Sequence, residues 1–180
     1  EVVATYRIEP IDFDKGQNKT PEFLAINPMG KLPVLDHDGV VVTETAAICC
    51  HLADAFPSAG LAPPIGDRQR GPYLKWMFFG PTCLEAAGID RMQKRDAGNP
   101  ASLGYGDLER VVETVVRSLA PGPWLLGERF SAADIVIGTG LFWGRSAKTI
   151  PDRPEIAGYL ERLEARPARQ RATAKDQAGT

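Results

Sequence analysis

Apolar and polar residues alternate in a way that predicts a β-hairpin in the first third of the chain. Residues 34–35 form one apolar run and residues 40–42 form a second. Asp38-Gly39 lies between the runs, and Asp-Gly is a strong signal for a two-residue hairpin turn. The pattern predicts two antiparallel strands, with the next helix beginning near Thr45.

Apolar residues recur at helical spacing along the rest of the chain. The predicted helices cover residues 45–56, 67 to about 80, 108–119, a segment that starts at 131 and a last segment from about 154. Pro81 is expected to kink or interrupt the second of these helices, because proline lacks a backbone donor. The last dozen residues are polar and are expected to fray.

Ser131 and Asp134 have the sequence pattern of a helix capping box. The Ser131 hydroxyl can cap the amide of Asp134, whose carboxylate can accept from the amide of Ser131. Phe130 and Ile135 flank the pair as a hydrophobic staple. We interpret this pattern as a folding device and not as a functional site.

The predicted elements divide the chain into two parts. β-forming residues such as Val2, Val3 and Tyr6 predict a strand within residues 1–11. Residues 57–66 are rich in Pro, Gly and Ala and show little periodicity, which predicts a linker. We therefore expect an α/β domain at 1–56, a linker at 57–66 and an all-α helical domain at 67–180.

Composition and charge exclude several classes of function. The net charge of −2 gives no support for a nucleic-acid partner, which would need a basic surplus. No apolar run approaches the roughly 20 residues that a membrane span requires. Cys49, Cys50 and Cys83 lack the spacing of a disulfide framework or a metal site. Small packing residues in a reducing cytosol explain them better than a redox or metal role.

Residues 27–35, together with Glu44-Thr45, predict a polar cleft at one end of the hairpin. Gly30 permits a tight approach, Lys31 brings positive charge and Pro33 restricts the backbone. A helix that begins at Thr45 adds the positive end of its dipole. This combination is suited to holding a small peptide.

Two motifs, in this order, resemble those of the soluble glutathione S-transferase family. The first comprises NPMGKLPVL at 27–35 and DGVVVTETAAICCHLAD at 38–54, and the second is PWLLGERFSAADI at 123–135. The resemblance covers nearly the whole chain and implies a cytosolic, bacterial-type protein, with a thioredoxin-like domain followed by a helical domain. It aligns Glu1 with the family's second strand. The family's first strand and first helix, roughly 25–30 residues, are therefore expected to be missing, and the α/β domain is expected to be incomplete.

The resemblance also implies how glutathione would be held. Leu32-Pro33 is expected to be a cis bond that turns the Leu32 N–H and C=O toward the ligand, the alternative being an ordinary trans proline. Thr45 is expected to bind the γ-glutamyl carboxylate with Glu44 as its acidic partner, the alternative being a plain helix cap. Lys31 is expected either to meet the glycyl carboxylate or to be solvated.

The thiol-activating group is not expected among these residues. Family enzymes activate the glutathione thiol with a Tyr, Ser or Cys near the end of the first strand or the start of the first helix. No catalytic residue is therefore nominated, and Tyr6 and Cys49 are not taken as substitutes. The candidate contacts for a small hydrophobic electrophile, which a core stripe would explain as well, are Tyr73, Trp76, Met77 and Phe79.

The function implied is a homodimeric, cytoplasmic glutathione transferase that conjugates its co-substrate glutathione to hydrophobic electrophiles in detoxification. One alternative is a non-catalytic binding or assembly protein of the same fold. Another is a glutathione-dependent isomerase or dehalogenase. His51 is expected to be a core histidine and His37 a solvated turn residue, and neither belongs to a recognisable hydrolase triad or metal site.

Overall fold

The computed structural model describes residues 1–96 and 98–178. Two strands, β1 (Val34–His37) and β2 (Val40–Thr43), form an antiparallel hairpin. The helices are α1 (Pro21–Ile26), α2 (Thr45–Ala55), α3 (Arg70–Phe79), α4 (Ala86–Met92), α5 (Leu108–Ser118), α6 (Ala132–Ser146), α7 (Pro154–Glu164) and α8 (Pro167–Ala178). Short 3₁₀ helices cover Gln17–Lys19, Pro57–Ala59 and Pro100–Ser102, and a π-helix covers Gly80–Glu85. An α/β part thus precedes an all-helical part, as the sequence predicts.

Residues 1–11 do not form the predicted strand. Val3, Tyr6 and Ile8 are 99%, 60% and 63% exposed. β-forming residues become a strand only when a neighbouring strand pairs with their backbone. In the part of the chain that the structure describes, the sheet contains β1 and β2 alone. The prediction was wrong because propensity does not supply a partner.

The predicted hairpin is confirmed. β1 and β2 pair along their full lengths. Asp38 and Gly39 make the turn with φ of 54° and 82°, the positive values that a type I′ turn requires. The amide of Gly39 also donates to Asp36 Oδ1 at 2.9 Å, which closes the turn further.

Helix α6 lies at the centre of the helical part. It packs against α2, α3 and α7, and its Ile137 and Leu141 are fully buried. Gly80, just after α3, lies so close to α6 that an added Cβ would be 2.6 Å from Val136 Cγ1. Close packing of this kind leaves little room for added volume.

Helix α3 passes into α4 through the π-helix at Gly80–Glu85. Pro81 lies in the first turn of that segment. The predicted interruption is confirmed, and it takes the form of a wider helical turn, which is one of the usual ways that a helix accommodates a disturbed hydrogen-bond ladder.

The predicted capping box is present at the start of α6. The Ser131 amide donates to Asp134 Oδ2 at 2.9 Å, and the Ser131 hydroxyl donates to the same oxygen at 3.3 Å. Asp134 Oδ1 accepts from the Leu125 amide at 2.9 Å and from the Tyr159 hydroxyl at 3.0 Å. Burial raises the pKa of Asp134 in spite of these four donors. The carboxylate therefore joins α6 to α7 and to the preceding loop.

The prediction that the last dozen residues fray was wrong for the described ones, because they continue as α8 to Ala178. The Arg169 guanidinium lies 5.3 Å from the ring centre of Phe142, and Lys175 contacts Tyr6. Ala, Arg, Gln and Lys are good helix formers, and these contacts hold the helix against the rest of the protein.

The segment predicted as a linker is held by hydrogen bonds from the helical part of the chain. Arg70 of α3 donates to both carboxylate oxygens of Asp54 at 2.7 and 2.8 Å, and to the Pro63 carbonyl at 3.0 Å. The Ala132 amide donates to the Leu61 carbonyl at 2.8 Å.

Within the described residues, none of the helices combines the length and apolar character needed to cross a membrane.

Candidate functional site

The hairpin register brings the two halves of the predicted cleft together. Val34 pairs with Thr43 at the open end of the hairpin. Pro33 directly precedes Val34, and Glu44 directly follows Thr43. Because paired strands lie about 4.8 Å apart, the loop that ends at Pro33 and the start of α2 are neighbours in space.

The Leu32-Pro33 bond is cis, as predicted. Lys31, Leu32 and Pro33 are all exposed, Leu32 by 40%. Among the residues that the structure describes, neither the amide nor the carbonyl of Leu32 has a hydrogen-bond partner. One donor and one acceptor are therefore available to an extended ligand that pairs as an added strand.

Glu44 and Thr45 form the second half of the cleft. Thr45 is the first residue of α2, and both residues are exposed. Glu44 has φ 67° and ψ 118°, which is uncommon for a residue other than glycine. Its side chain makes no capping hydrogen bond, so the plain-cap alternative does not describe this pair. The carboxylate and the first amides of α2 both remain available to a polar ligand.

Lys31 supplies the positive charge of the cleft. Its side chain is exposed, and within the described residues it forms no ion pair with any carboxylate. An unpaired ammonium at the edge of the loop can meet an anionic group of a bound molecule as a point charge.

The structure corrects most of the predicted electrophile contacts. Tyr73, Trp76 and Met77 are 0%, 2% and 2% exposed and belong to the core. Side chains that core neighbours enclose cannot line an open pocket, so the core-stripe alternative describes these three. Phe79 is half-buried and packs edge-on to Trp76 with ring centres 5.1 Å apart. Phe79 is the one member of the set that keeps an accessible edge.

The thiols and the phenol between α2 and α3 are protonated at neutral pH. Burial raises the pKa of Cys49 to about 11, and it also raises the pKa of Cys50 above its ordinary value. The Tyr73 hydroxyl donates to Cys50 Sγ at 3.6 Å, and burial raises the pKa of Tyr73 as well. These groups have the properties of packing residues and not those of a thiolate or a general base.

His37 is not the solvated turn residue that the sequence predicts. Its Nδ1 lies 2.8 Å from Nε2 of His51, and the two rings meet edge-on at 5.0 Å. Phe56 also lies near His37, and their ring centres are 5.8 Å apart. One histidine donates and the other accepts, so the pair links β1 to α2.

In the described part of the chain, no group of three or more His, Cys, Asp or Glu side chains is placed to hold a metal ion.

Sequence reasoning missed two buried asparagines beside the cleft, Asn18 and Asn27. Asn27 belongs to the motif at 27–35, but its side chain was not considered, and Asn18 lies in a segment that is polar throughout. A buried polar residue inside a polar loop leaves no pattern in the sequence, because its burial depends on the tertiary structure.

Two domain models of one protein family match the chain. Residues 1–54 match "Glutathione S-transferase, N-terminal domain", and residues 105–167 match "Glutathione S-transferase, C-terminal domain". Among curated proteins, the disulfide-bond oxidoreductase YfcG of Escherichia coli is 29% identical, over 99% of this chain and 88% of that protein. Maleylacetoacetate isomerase of Rhizobium meliloti is 42% identical, over 73% of this chain and 66% of that protein.

Solved structures agree with this assignment. A glutathione transferase from Methylococcus capsulatus is 38% identical with a TM-score of 0.71, over 87% of this chain and 78% of that one. A glutathione transferase homologue from Sulfitobacter, solved with bound glutathione, is 28% identical with a TM-score of 0.69, over 93% of this chain and 83% of that one. The chain belongs to the glutathione S-transferase family, in its bacterial type. Its α/β part is accordingly the family's thioredoxin-like domain, here with a small sheet, and the helical domain follows.

Proposed function

We propose that this protein is a glutathione transferase that conjugates the thiolate of glutathione to small hydrophobic electrophiles. The observation that carries the proposal is the hairpin register. It sets the unpaired backbone groups of Leu32 beside Glu44 and the first amides of α2, in a chain of this family. The relative solved with bound glutathione supports the choice of ligand.

The two carboxylates, the amino group and the cysteinyl backbone of glutathione each have a proposed partner in this cleft. The Leu32 amide and carbonyl pair with the cysteinyl backbone of the ligand. The Thr45 amide and hydroxyl bind the γ-glutamyl carboxylate at the positive end of α2. Glu44 accepts from the γ-glutamyl amino group, and Lys31 meets the glycyl carboxylate. Pro33 holds the loop in the shape that allows these contacts.

In the proposed reaction, the glutathione sulfur attacks an electrophilic carbon, forms the S–C bond and displaces the leaving group. For an aryl halide, halide leaves and the thiol proton passes to solvent. A hydrogen-bond donor to the sulfur would favour thiolate at neutral pH. We assign this role to none of the described residues, and Cys49 is packed against the core of the helical part.

We propose that Phe79 contacts the electrophilic second substrate, because it is half-buried and keeps an accessible edge.

We also propose that the protein is a cytoplasmic homodimer with a role in detoxification. Val40, Val41 and Phe78 are 58%, 45% and 67% exposed. We propose that a second copy covers exposed apolar side chains of this kind. Sedimentation equilibrium tests this assembly, and a monomer at micromolar concentration would contradict it.

The proposal is tested by calorimetric titration with millimolar glutathione and by conjugation of a generic aryl halide. Thr45→Val removes the hydroxyl at the start of α2 and should raise the Kd for glutathione about tenfold, the value of one charge-assisted hydrogen bond. Thr114→Val is the matched control, because the Thr114 hydroxyl bonds to the Arg110 carbonyl within α5. An absence of binding by the wild-type protein would refute the proposal.

A second candidate is a glutathione-dependent isomerase, which the 42% identity to maleylacetoacetate isomerase favours. The resemblance to a disulfide-bond oxidoreductase favours glutathione-linked reduction in the same cleft. These activities share the glutathione subsite and differ in the pocket for the second substrate. Parallel assays with a cis-enone and with a mixed disulfide separate them from aryl-halide conjugation. A protein that binds glutathione but turns over none of these substrates would fit a non-catalytic binding role.

A further inference from the structure

Two buried asparagines hold the loop that leads to the cis-proline. Asn18 lies in the 3₁₀ helix before α1, Asn27 directly follows α1, and they are 8% and 3% exposed. Asn18 Nδ2 donates to the Gly30 carbonyl at 2.8 Å, and Asn27 Nδ2 donates to the Lys31 carbonyl at 2.8 Å. Two consecutive carbonyls are thus fixed by two side chains from different places in the sequence.

Asn27 also fixes the other side of the same loop. Its Oδ1 accepts from the Met29 amide at 3.1 Å, and its carbonyl accepts from the Gly30 amide at 2.9 Å. Gly30 has φ +63°, and an added Cβ would lie 3.0 Å from the Asn18 carbonyl oxygen. The loop therefore has little freedom to change shape while both asparagines keep their contacts.

Asn18 makes this contact at a cost to stability. Its Oδ1 is buried and has no hydrogen-bond partner within the described residues. A buried acceptor without a partner lowers stability, whereas an apolar side chain of similar volume would avoid that cost. Asn18 is therefore better explained by the hydrogen bond that its Nδ2 donates to the Gly30 carbonyl than by a gain in stability.

We infer that Asn18 and Asn27 are positioning residues for glutathione. By fixing the carbonyls of Gly30 and Lys31, they set the direction of the next peptide unit and so aim the free amide and carbonyl of Leu32 into the cleft. Neither asparagine touches the ligand, since their amide groups are directed at the loop. This inference rests on the proposed function of the same cleft. The two asparagines would raise the affinity for glutathione because they hold the loop in its binding shape before the ligand arrives.

The test uses Asn18→Leu in the full chain, with Asn99→Leu as the matched control. Asn99 is an exposed residue of the helical domain whose Oδ1 caps a 3₁₀ turn. Asn18→Leu should raise the Kd for glutathione about three- to tenfold, since one orienting hydrogen bond is lost. The KM for glutathione should rise by the same factor with kcat unchanged. Hydrogen exchange at the Gly30 amide, which donates to the Asn27 carbonyl at 2.9 Å, should become faster without ligand. Tm should change little, because the orphaned Oδ1 acceptor is removed together with the Asn18 hydrogen bond.

Wild-type affinity and wild-type exchange in Asn18→Leu would overturn the inference, and so would equal effects in Asn99→Leu. Asn18→Ala makes the same comparison if the larger leucine prevents folding. Loss of affinity that merely follows a large fall in Tm would show a structural role only. Failure of the wild-type protein to bind glutathione would instead refute the transferase proposal and, with it, the ligand role of this pair. Faster exchange at the Gly30 amide would then still show that the asparagines hold the loop.

Discussion

At the scale of single residues, Glu44 combines a strained backbone with a carboxylate that has no ion-pair partner among the described residues. Its φ of 67° with ψ of 118° lies outside the regions that side chains favour, and no capping bond compensates for it. Such conformations cost about 1–3 kcal/mol and concentrate at functional positions. Asp38 also has positive φ, but it lies in the hairpin turn, where this conformation is ordinary.

Replacing Glu44 by glycine should separate stability from binding. Glu44→Gly relieves the backbone and should raise the free energy of unfolding by about 1 kcal/mol, because glycine adopts positive φ readily. It also removes the carboxylate, so affinity for glutathione should fall. Asp38→Gly is the control, with a similar or smaller gain in stability and unchanged affinity. Urea unfolding and calorimetry measure both quantities, and a Glu44→Gly protein with wild-type affinity would contradict the role given to this carboxylate.

At the scale of secondary-structure elements, the contact between α3 and α6 depends on a glycine at the start of the π-helix. Gly80 faces Val136 so closely that a methyl group has no room. Gly71, near the start of α3, faces open space, with no atom within 4 Å of an added Cβ. These two positions provide an internal comparison between packing and helix propensity.

Gly80→Ala should therefore lower the free energy of unfolding by about 1–3 kcal/mol, the usual cost of overpacking. Gly71→Ala should raise it by up to about 1 kcal/mol, since alanine is the better helix former. Chemical denaturation of the two variants gives the comparison directly. Equal effects in both proteins would show that helix propensity, and not the close approach of α3 to α6, governs this region.

The elements that sequence could predict are those fixed by neighbouring residues. The Asp38-Gly39 turn and the Ser131 capping box depend on residues within three or four positions, and both formed as predicted. The strand at 1–11 did not form, because a strand needs a partner that local propensity cannot specify. The His37–His51 pair joins residues 14 apart, and the sequence does not show that their rings meet.

The candidate site was predictable for a similar reason. Its motif is continuous at 27–35, the cis bond followed from resemblance to a family, and the helix start followed from the pattern of apolar and polar residues. The asparagines that hold the loop were missed, because side chains that support a site from behind are recognised only when burial is known. Tyr73, Trp76 and Met77 show the reverse case, in which apolar residues suggested a pocket and proved to be core.

At the scale of the whole molecule, one bidentate ion pair joins the two domains. Asp54 of α2 and Arg70 of α3 make two hydrogen bonds of 2.7 and 2.8 Å. Arg70 holds the pKa of Asp54 below its ordinary value, chiefly through these hydrogen bonds. Because the folded-state pKa is depressed, the contribution of Asp54 to stability is complete above its unfolded value and is lost as the pH falls through the folded value.

The stability lost in Asp54→Asn should accordingly depend on pH. At neutral pH, the variant should be less stable than wild type by about 0.5–1 kcal/mol, since the Asp54 side chain is 47% exposed and solvent weakens the pair. The difference should shrink as the pH falls below about 4, where the unpaired carboxyl protonates. Asp14→Asn, at an exposed loop residue, is the control. A difference that does not vary with pH would show that the ion pair does not join the domains in the way described.

The most direct measurement of the central claim is the change in backbone amide chemical shifts when millimolar glutathione is added to ¹⁵N-labelled protein. We expect the largest changes at the amides of Leu32 and Thr45, which the hairpin register brings to the same end of the sheet. The amide of Gly39, at the opposite end of the hairpin, should not change. Shifts centred elsewhere, or none at saturating glutathione, would contradict the assignment of this cleft as the glutathione site.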